Sequence, residues 1–123
     1  MGMAVAKQFE KPVRWVASAK KDLVAMPRVV QRKAGFARYL AQIGEKHPAT
    51  KPVKGFGSAG VLEVVEDYQS DTYRAVYTVR LKRAVYVVHC FKKKSTRGVQ
   101  TPKPDMDLIR ARLKAAEQMD KET

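Results

Sequence analysis

The sequence predicts an α+β domain: a small antiparallel sheet packed against two N-terminal helices, with a third helix at the C-terminus. Three observations carry this expectation. Residues 28–46 space their apolar side chains three and four apart, as a helix lying on a core does. Residues 61–91 hold three β-prone runs separated by short polar turns. From Thr101 the chain returns to helical spacing behind a Thr-Pro start.

In chain order, VRWVA at 13–17 is a short β-prone run after Pro12 and contains the single tryptophan, Trp15. Ser18 is placed to cap a short helix, AKKDLVAM, although Lys21 stands where a capping box would carry an acid. Pro27 separates this helix from the next and suits its first turn. Over 28–46, Val29, Phe36, Leu40 and Ile43 share a stripe, with Val30, Ala34, Ala37 and Ala41 alongside. Arg32, Lys33, Arg38 and Lys46 form the polar face, so Phe36 and Tyr39 are expected to pack on the sheet.

HPATKPVKGFGSAG at 47–60 carries two prolines and three glycines, which marks a loop. No GK[ST] follows the glycines, so it is not a triphosphate-binding loop. VLEVVE (61–66), YRAVYTVRL (73–81) and AVYVVHCF (84–91) then form an antiparallel meander, turning at 67–72 and at Lys82-Arg83. In the middle strand Arg74, Val76, Thr78 and Arg80 share one face; Tyr73, Ala75, Tyr77, Val79 and Leu81 share the other, the expected core side. In the last strand Tyr86, Val88, Cys90 and Lys92 alternate with Val85, Val87, His89 and Phe91, and both sets are apolar enough to suggest cover on both faces. Asp105 and Asp107 favour the start of the last helix, whose apolar stripe is Met106, Ile109, Leu113 and Ala116. The whole chain, 1–123, reads as one domain with an ordered core from about 13 to 117 and frayed ends at 1–8 and 119–123.

The charge balance narrows the partners. There are 25 lysines and arginines against 12 acids, a formal charge of +13 and a sequence pI near 10.1. This excess favours a polyanion: nucleic acid, the ribosome, an acidic membrane surface or an acidic protein. No apolar run is long enough to cross a bilayer and the N-terminus lacks a secretory apolar centre, so a soluble cytoplasmic chain with no membrane partner is expected. Cys90 stands alone in an apolar run, which excludes an internal disulfide and suggests a buried thiol. Neither His47 nor His89 has acids or cysteines at zinc spacing, and no nucleophile elbow is present. No metal or cofactor is expected.

The strings KGFG, TYRAVYT, VVHCFKKKS and TPKPDMDLIRARL, in this order and spacing, are similar to the RelE/HigB superfamily of toxins, and more narrowly to its phage-derived HigB-like branch. The resemblance spans roughly residues 13–117. It implies a RelE-like fold with a basic concave face, and a ribosome-dependent mRNA endonuclease of a type II toxin–antitoxin system. The implied partners are mRNA on the ribosome and an inhibitory antitoxin, commonly a helix-turn-helix protein. Some relatives carry Trp-Glu-Leu-Arg where this chain reads Val61-Leu62-Glu63-Val64-Val65, so the motif arginine has no equivalent and its burden shifts to Arg74 and the lysines.

RNA cleavage through the 2′-hydroxyl needs a base, stabilisation of the phosphorane-like charge, and an acid for the leaving 5′-oxygen. The catalytic candidates are Lys54 in the glycine-rich loop, Arg74, His89, Lys92 and Lys93. Lys54 and Arg74 resemble the family's loop lysine and sheet arginine. Lys51, Arg80, Lys94, Arg97 and Tyr73 are candidate RNA contacts, and Tyr77 and Tyr86 with Tyr73 could stack on RNA bases. Plainer roles stand beside these: solvated lysines for Lys54 and the 92–94 run, a hydrogen-bonded core histidine for His89, and core packing for Tyr77. The alternatives in function are a non-catalytic nucleic-acid or partner-binding module on the same fold, or a related toxin with another target such as a topoisomerase.

Overall fold

The computed structural model describes residues 10–94 and 101–122. The chain forms β1 (Val13–Trp15), α1 (Ala19–Val24), α2 (Arg28–Gln42), β2 (Thr50–Pro52), β3 (Val61–Tyr68), β4 (Asp71–Thr78), β5 (Val85–Lys94) and α3 (Lys103–Glu122). The five strands make one sheet in the order β1-β5-β4-β3-β2. The β3-β4-β5 meander is antiparallel as expected. The sheet as a whole is mixed, because β1 pairs in parallel with β5, Val13 opposite Val85. Parallel pairing requires a long crossover, and two helices and three strands separate these two segments in sequence.

Both faces are covered. On one, α1 and α2 bury Ala19, Leu23, Ala34, Ala37 and Ala41 against Val64, Ala75, Tyr77, Val85, Val87 and Cys90. On the other, Ile109 and Ala116 of α3 pack on Val61, Val76, Tyr86, Val88 and Phe91. The expected core side of the middle strand is thus one of two cores. A core layer on each side explains why β5 is apolar at consecutive positions.

Several boundaries differ from the sequence reading. β2 lies inside the expected 47–60 loop, where Lys51 pairs with Glu63 and Pro52 sits at the sheet edge that a missing donor tolerates. The 67–72 turn contracts to Gln69-Ser70, both at positive φ (50° and 70°), which is the twist a two-residue hairpin needs. The β4–β5 turn is longer than two residues, because β4 ends at Thr78 and β5 begins at Val85. Ser18 donates to the Asp22 carboxylate at 2.7 Å and makes no side-chain cap to the helix backbone.

The inward face of α2 is the small stripe Val30, Ala34, Ala37 and Ala41. Small residues let the helix lie close to the sheet, and the expected core residues Phe36 and Tyr39 point outward, 54% and 46% exposed. The C-terminal residues 119–122 are helical, not frayed. Met119 packs on the α3 core, and Asp120 accepts from the Lys82 and Arg83 amides and the Tyr86 hydroxyl.

β5 carries a bulge. Val76 faces His89 and Tyr77 faces Val87, so Val88 is an extra residue. Past it the alternation changes phase: Val88, His89 and Phe91 all lie toward α3, and Cys90 lies toward α1 and α2. The strict alternation expected from sequence fails at this one position.

Candidate functional site

Between the β2–β3–β4 side of the sheet and α3 lies a cleft of about 520 Å3. Its floor is an ion pair. Glu63 of β3 and Arg74 of β4 are 2% and 5% exposed, and Arg74 Nη1 donates to Glu63 Oε1 at 2.9 Å. Their positions follow from register: Glu63 opposes Val76, two residues from Arg74, which puts both side chains on one face at diagonal reach. Arg74 Nη1 also lies 3.5 Å from the Thr101 hydroxyl at the entrance to α3.

Burial pushes the Glu63 carboxyl up from its ordinary value of 4.5, against the opposing pull of the Arg74, Lys51 and Lys93 cations. Desolvation wins over three positive charges. Lys51 Nζ stands 3.9 Å from the same Glu63 oxygen but is half exposed, so this contact is screened and weak.

The wall opposite the sheet is cationic. Lys103 and Arg110 of α3 face Lys51 and Lys54 across the cleft, with Met106 and Asp107 between them. Lys103 makes an exposed contact with Asp107 at 3.2 Å. Arg110 is held over the Phe56 ring, 5.4 Å from its centroid. The loop can approach this closely because Gly55 has φ +96° and lacks a Cβ, which would lie 3.3 Å from both Arg110 Nη2 and Met106 Cε. The glycine of the KGFG string therefore sets the width of the cleft.

Of the residues singled out from sequence, Lys51, Lys54 and Arg74 meet in this cleft. Lys93 pairs with Thr72 and acts on Glu63 through its charge. Lys92 does not join them. It pairs with Tyr73 and lies 3.7 Å from Asp71, on the α2 side of the sheet. Tyr73 is on that side too, beside Val30 and Ala34 of α2. Tyr77 and Tyr86 are core residues, 2% and 0% exposed. The tyrosines therefore make no stacking platform beside Arg74. Arg80 is exposed past the end of β4, its stem folded over Gly60. Arg97 and the side chain of Lys94 lie outside the described residues.

His89 is 5% exposed beneath α3 and does not line the cleft. Its Nε2 is 2.7 Å from Asp105 Oδ1 and its Nδ1 is 3.2 Å from Arg112 Nη1. A guanidinium only donates, so Nδ1 accepts and the ring proton sits on Nε2, facing the carboxylate. Arg112 also reaches the Val88 carbonyl and the Ser18 hydroxyl, and the imidazole stacks on Phe91 at 4.8 Å. Both nitrogens are engaged in holding α3 to β5. This is the core role, and the bulge at Val88 is what turns the ring toward α3.

Glu63, Lys103 and Arg110 were not singled out as site residues from sequence. The signal for Glu63 was present: an acid in the otherwise apolar run VLEVV requires a buried cation. Arg74 supplies it.

The molecule is thus a three-layer α+β domain with a cation-rimmed cleft built on a buried carboxylate–guanidinium pair. Residues 21–114 match the family described as Phage derived protein Gp49-like (DUF891), and the chain belongs to that family. It is a toxin–antitoxin-associated family. The matched span takes in every residue named above as lining the cleft. No curated protein and no solved structure shows significant similarity to the chain. Among the described residues no helix is long and apolar enough to cross a membrane.

Proposed function

We propose that the protein is a toxin of the RelE/HigB type that cleaves mRNA on the ribosome in this cleft and is held inactive by an antitoxin. The observation that carries the reading is the buried Glu63–Arg74 pair surrounded by Lys51, Lys54, Lys103 and Arg110. A carboxylate whose proton affinity is raised by burial is a better base than a solvated one. An arginine beside it offers two parallel donors to a phosphoryl group.

In the proposed reaction the Glu63 carboxylate takes the proton of the ribose 2′-hydroxyl. The 2′-oxygen bonds to phosphorus while Arg74 stabilises the charge on the equatorial oxygens. The bond from phosphorus to the 5′-oxygen breaks, and that oxygen takes a proton from the Lys54 or Lys93 ammonium. The products are a 2′,3′-cyclic phosphate and a 5′-hydroxyl. Lys103 and Arg110 bind flanking phosphates.

One observation favours a second reading, an RNA-binding module without catalysis: Arg74 is already neutralised by Glu63 within the protein. Purified ribosomes loaded with a defined mRNA separate the two. Cleavage at discrete positions, abolished by Arg74→Ala and by Glu63→Gln, supports the endonuclease. Intact mRNA together with tight, salt-sensitive RNA binding assigns the cleft to binding alone.

A further inference from the structure

The face of α2 turned away from the sheet is largely apolar. Val29, Phe36, Tyr39 and Ile43 are 37%, 54%, 46% and 36% exposed, and they belong to one helix and its C-terminal cap. Val29, Phe36 and Ile43 recur every seven residues, with Arg32 and Tyr39 between them, which is the a-d-a-d-a spacing of a seam that packs against another helix. The helix has no acidic residue. Lys33 is bound by Glu66 at 2.6 Å and Arg38 lies over Trp15, so these two cations are committed within the fold. Arg32, at the first d position of the seam, and Arg28, beside it, are both exposed, and Glu45, beyond the helix, is the only acid from 28 to 46.

We propose that this face docks an acidic amphipathic helix of a partner protein, its apolar stripe on Val29, Phe36, Tyr39 and Ile43 and its carboxylates against Arg28 and Arg32. Charge decides the occupant. A second copy would bring the same arginines together on a chain of net charge +13, and like charges across a seam oppose pairing. A partner with acids at its flanks relieves both the exposed apolar surface and the unbalanced arginines. At 1.5 Å per residue the seam is on the order of 20 Å long, enough for a partner helix of about four turns. α2 and α3 lie on opposite faces of the sheet, so the docking face is separate from the cleft and does not rest on the chemistry proposed there.

The test uses the full chain and three synthetic peptides of about three heptads each. One has a leucine a/d seam flanked by glutamates, one has the same seam flanked by lysines, and one is a scramble of the first. Calorimetry should show binding of the glutamate-flanked helix alone, weakened about tenfold or more by Phe36→Ser. Arg28→Glu with Arg32→Glu should reverse the preference to the lysine-flanked helix. Circular dichroism melts verify that the variants fold, and Phe36→Ser removes a half-exposed ring. Equal binding of the glutamate-flanked and scrambled peptides, or binding indifferent to Phe36→Ser, would overturn the proposal. So would Phe36-dependent binding to phosphatidylglycerol vesicles without peptide binding, or Phe36-dependent dimerisation of the chain in sedimentation.

Discussion

Arg74 Nη1 lies 2.9 Å from Glu63 Oε1 across the β3–β4 ladder, and both residues are almost fully buried. Removing one partner strands the other. Arg74→Ala should cost about 3 kcal/mol in urea unfolding, because it leaves a buried carboxyl without its main cation. Glu63→Gln keeps an acceptor for Arg74 and should cost less. The pH dependence has a definite sign. A carboxyl held above its ordinary value contributes stability that is fully present below 4.5 and is lost as pH rises through the higher folded value. Unfolding measured from pH 4 upward should show this loss in the wild type and not in Glu63→Gln. If Glu63 is the base, cleavage should rise with pH over the same interval.

His89 separates a structural from a catalytic role. Its two nitrogens are held by Asp105 and Arg112, so His89→Gln should lower the melting temperature while leaving cleavage per folded molecule within several-fold of wild type. Arg74→Ala should lower cleavage by about a hundredfold or more. Single-turnover rates at a temperature where all three proteins are folded make the comparison.

Gly55 controls how near the loop approaches α3. Gly55→Ala places a methyl group against Arg110 and Met106 at a positive φ, and should destabilise by about 1 kcal/mol or more. RNA binding should weaken with it, because the loop carrying Lys54 is pushed from the opposite wall. Thermal melts and a binding titration at one fixed salt concentration give both numbers.

The Gln69-Ser70 turn is a site for gain. Both residues sit in the left-handed region without being glycine or asparagine, so Gln69→Asn with Ser70→Gly should stabilise by about 1 kcal/mol. The gain should appear as a raised urea midpoint at unchanged slope.

Much of this was legible in the sequence. The meander, the buried Cys90 and the terminal helix with Ile109 and Ala116 inward follow from alternation and helical spacing, whereas the association of Lys54 with Arg74 came from the family resemblance, with Lys51 beside Lys54 in the same loop. Two features were not. On α2 the stripes Val30/Ala34/Ala37/Ala41 and Val29/Phe36/Ile43 are both apolar and adjacent, so periodicity cannot say which faces the sheet. The distance between helix and sheet decides it, and that is a property of the packed molecule. The bulge at Val88 has no marker either, since valine there satisfies the strand pattern. Consequently the expected alternation put His89 with Val87, whereas the two lie on opposite faces of the sheet.

That bulged valine makes the cleft depend on backbone pairing as well as on residue identity. It sets the count by which Lys93, rather than Lys92, shares a face with Arg74. Pairing Val88 within a regular ladder, with no bulge, would leave every charged side chain in the protein present while shifting the strand beyond it by one step, exchanging the two lysines and turning His89 away from Asp105. A one-residue frame in β5, invisible to any comparison of residue types, thus selects which ammonium group stands beside the buried ion pair.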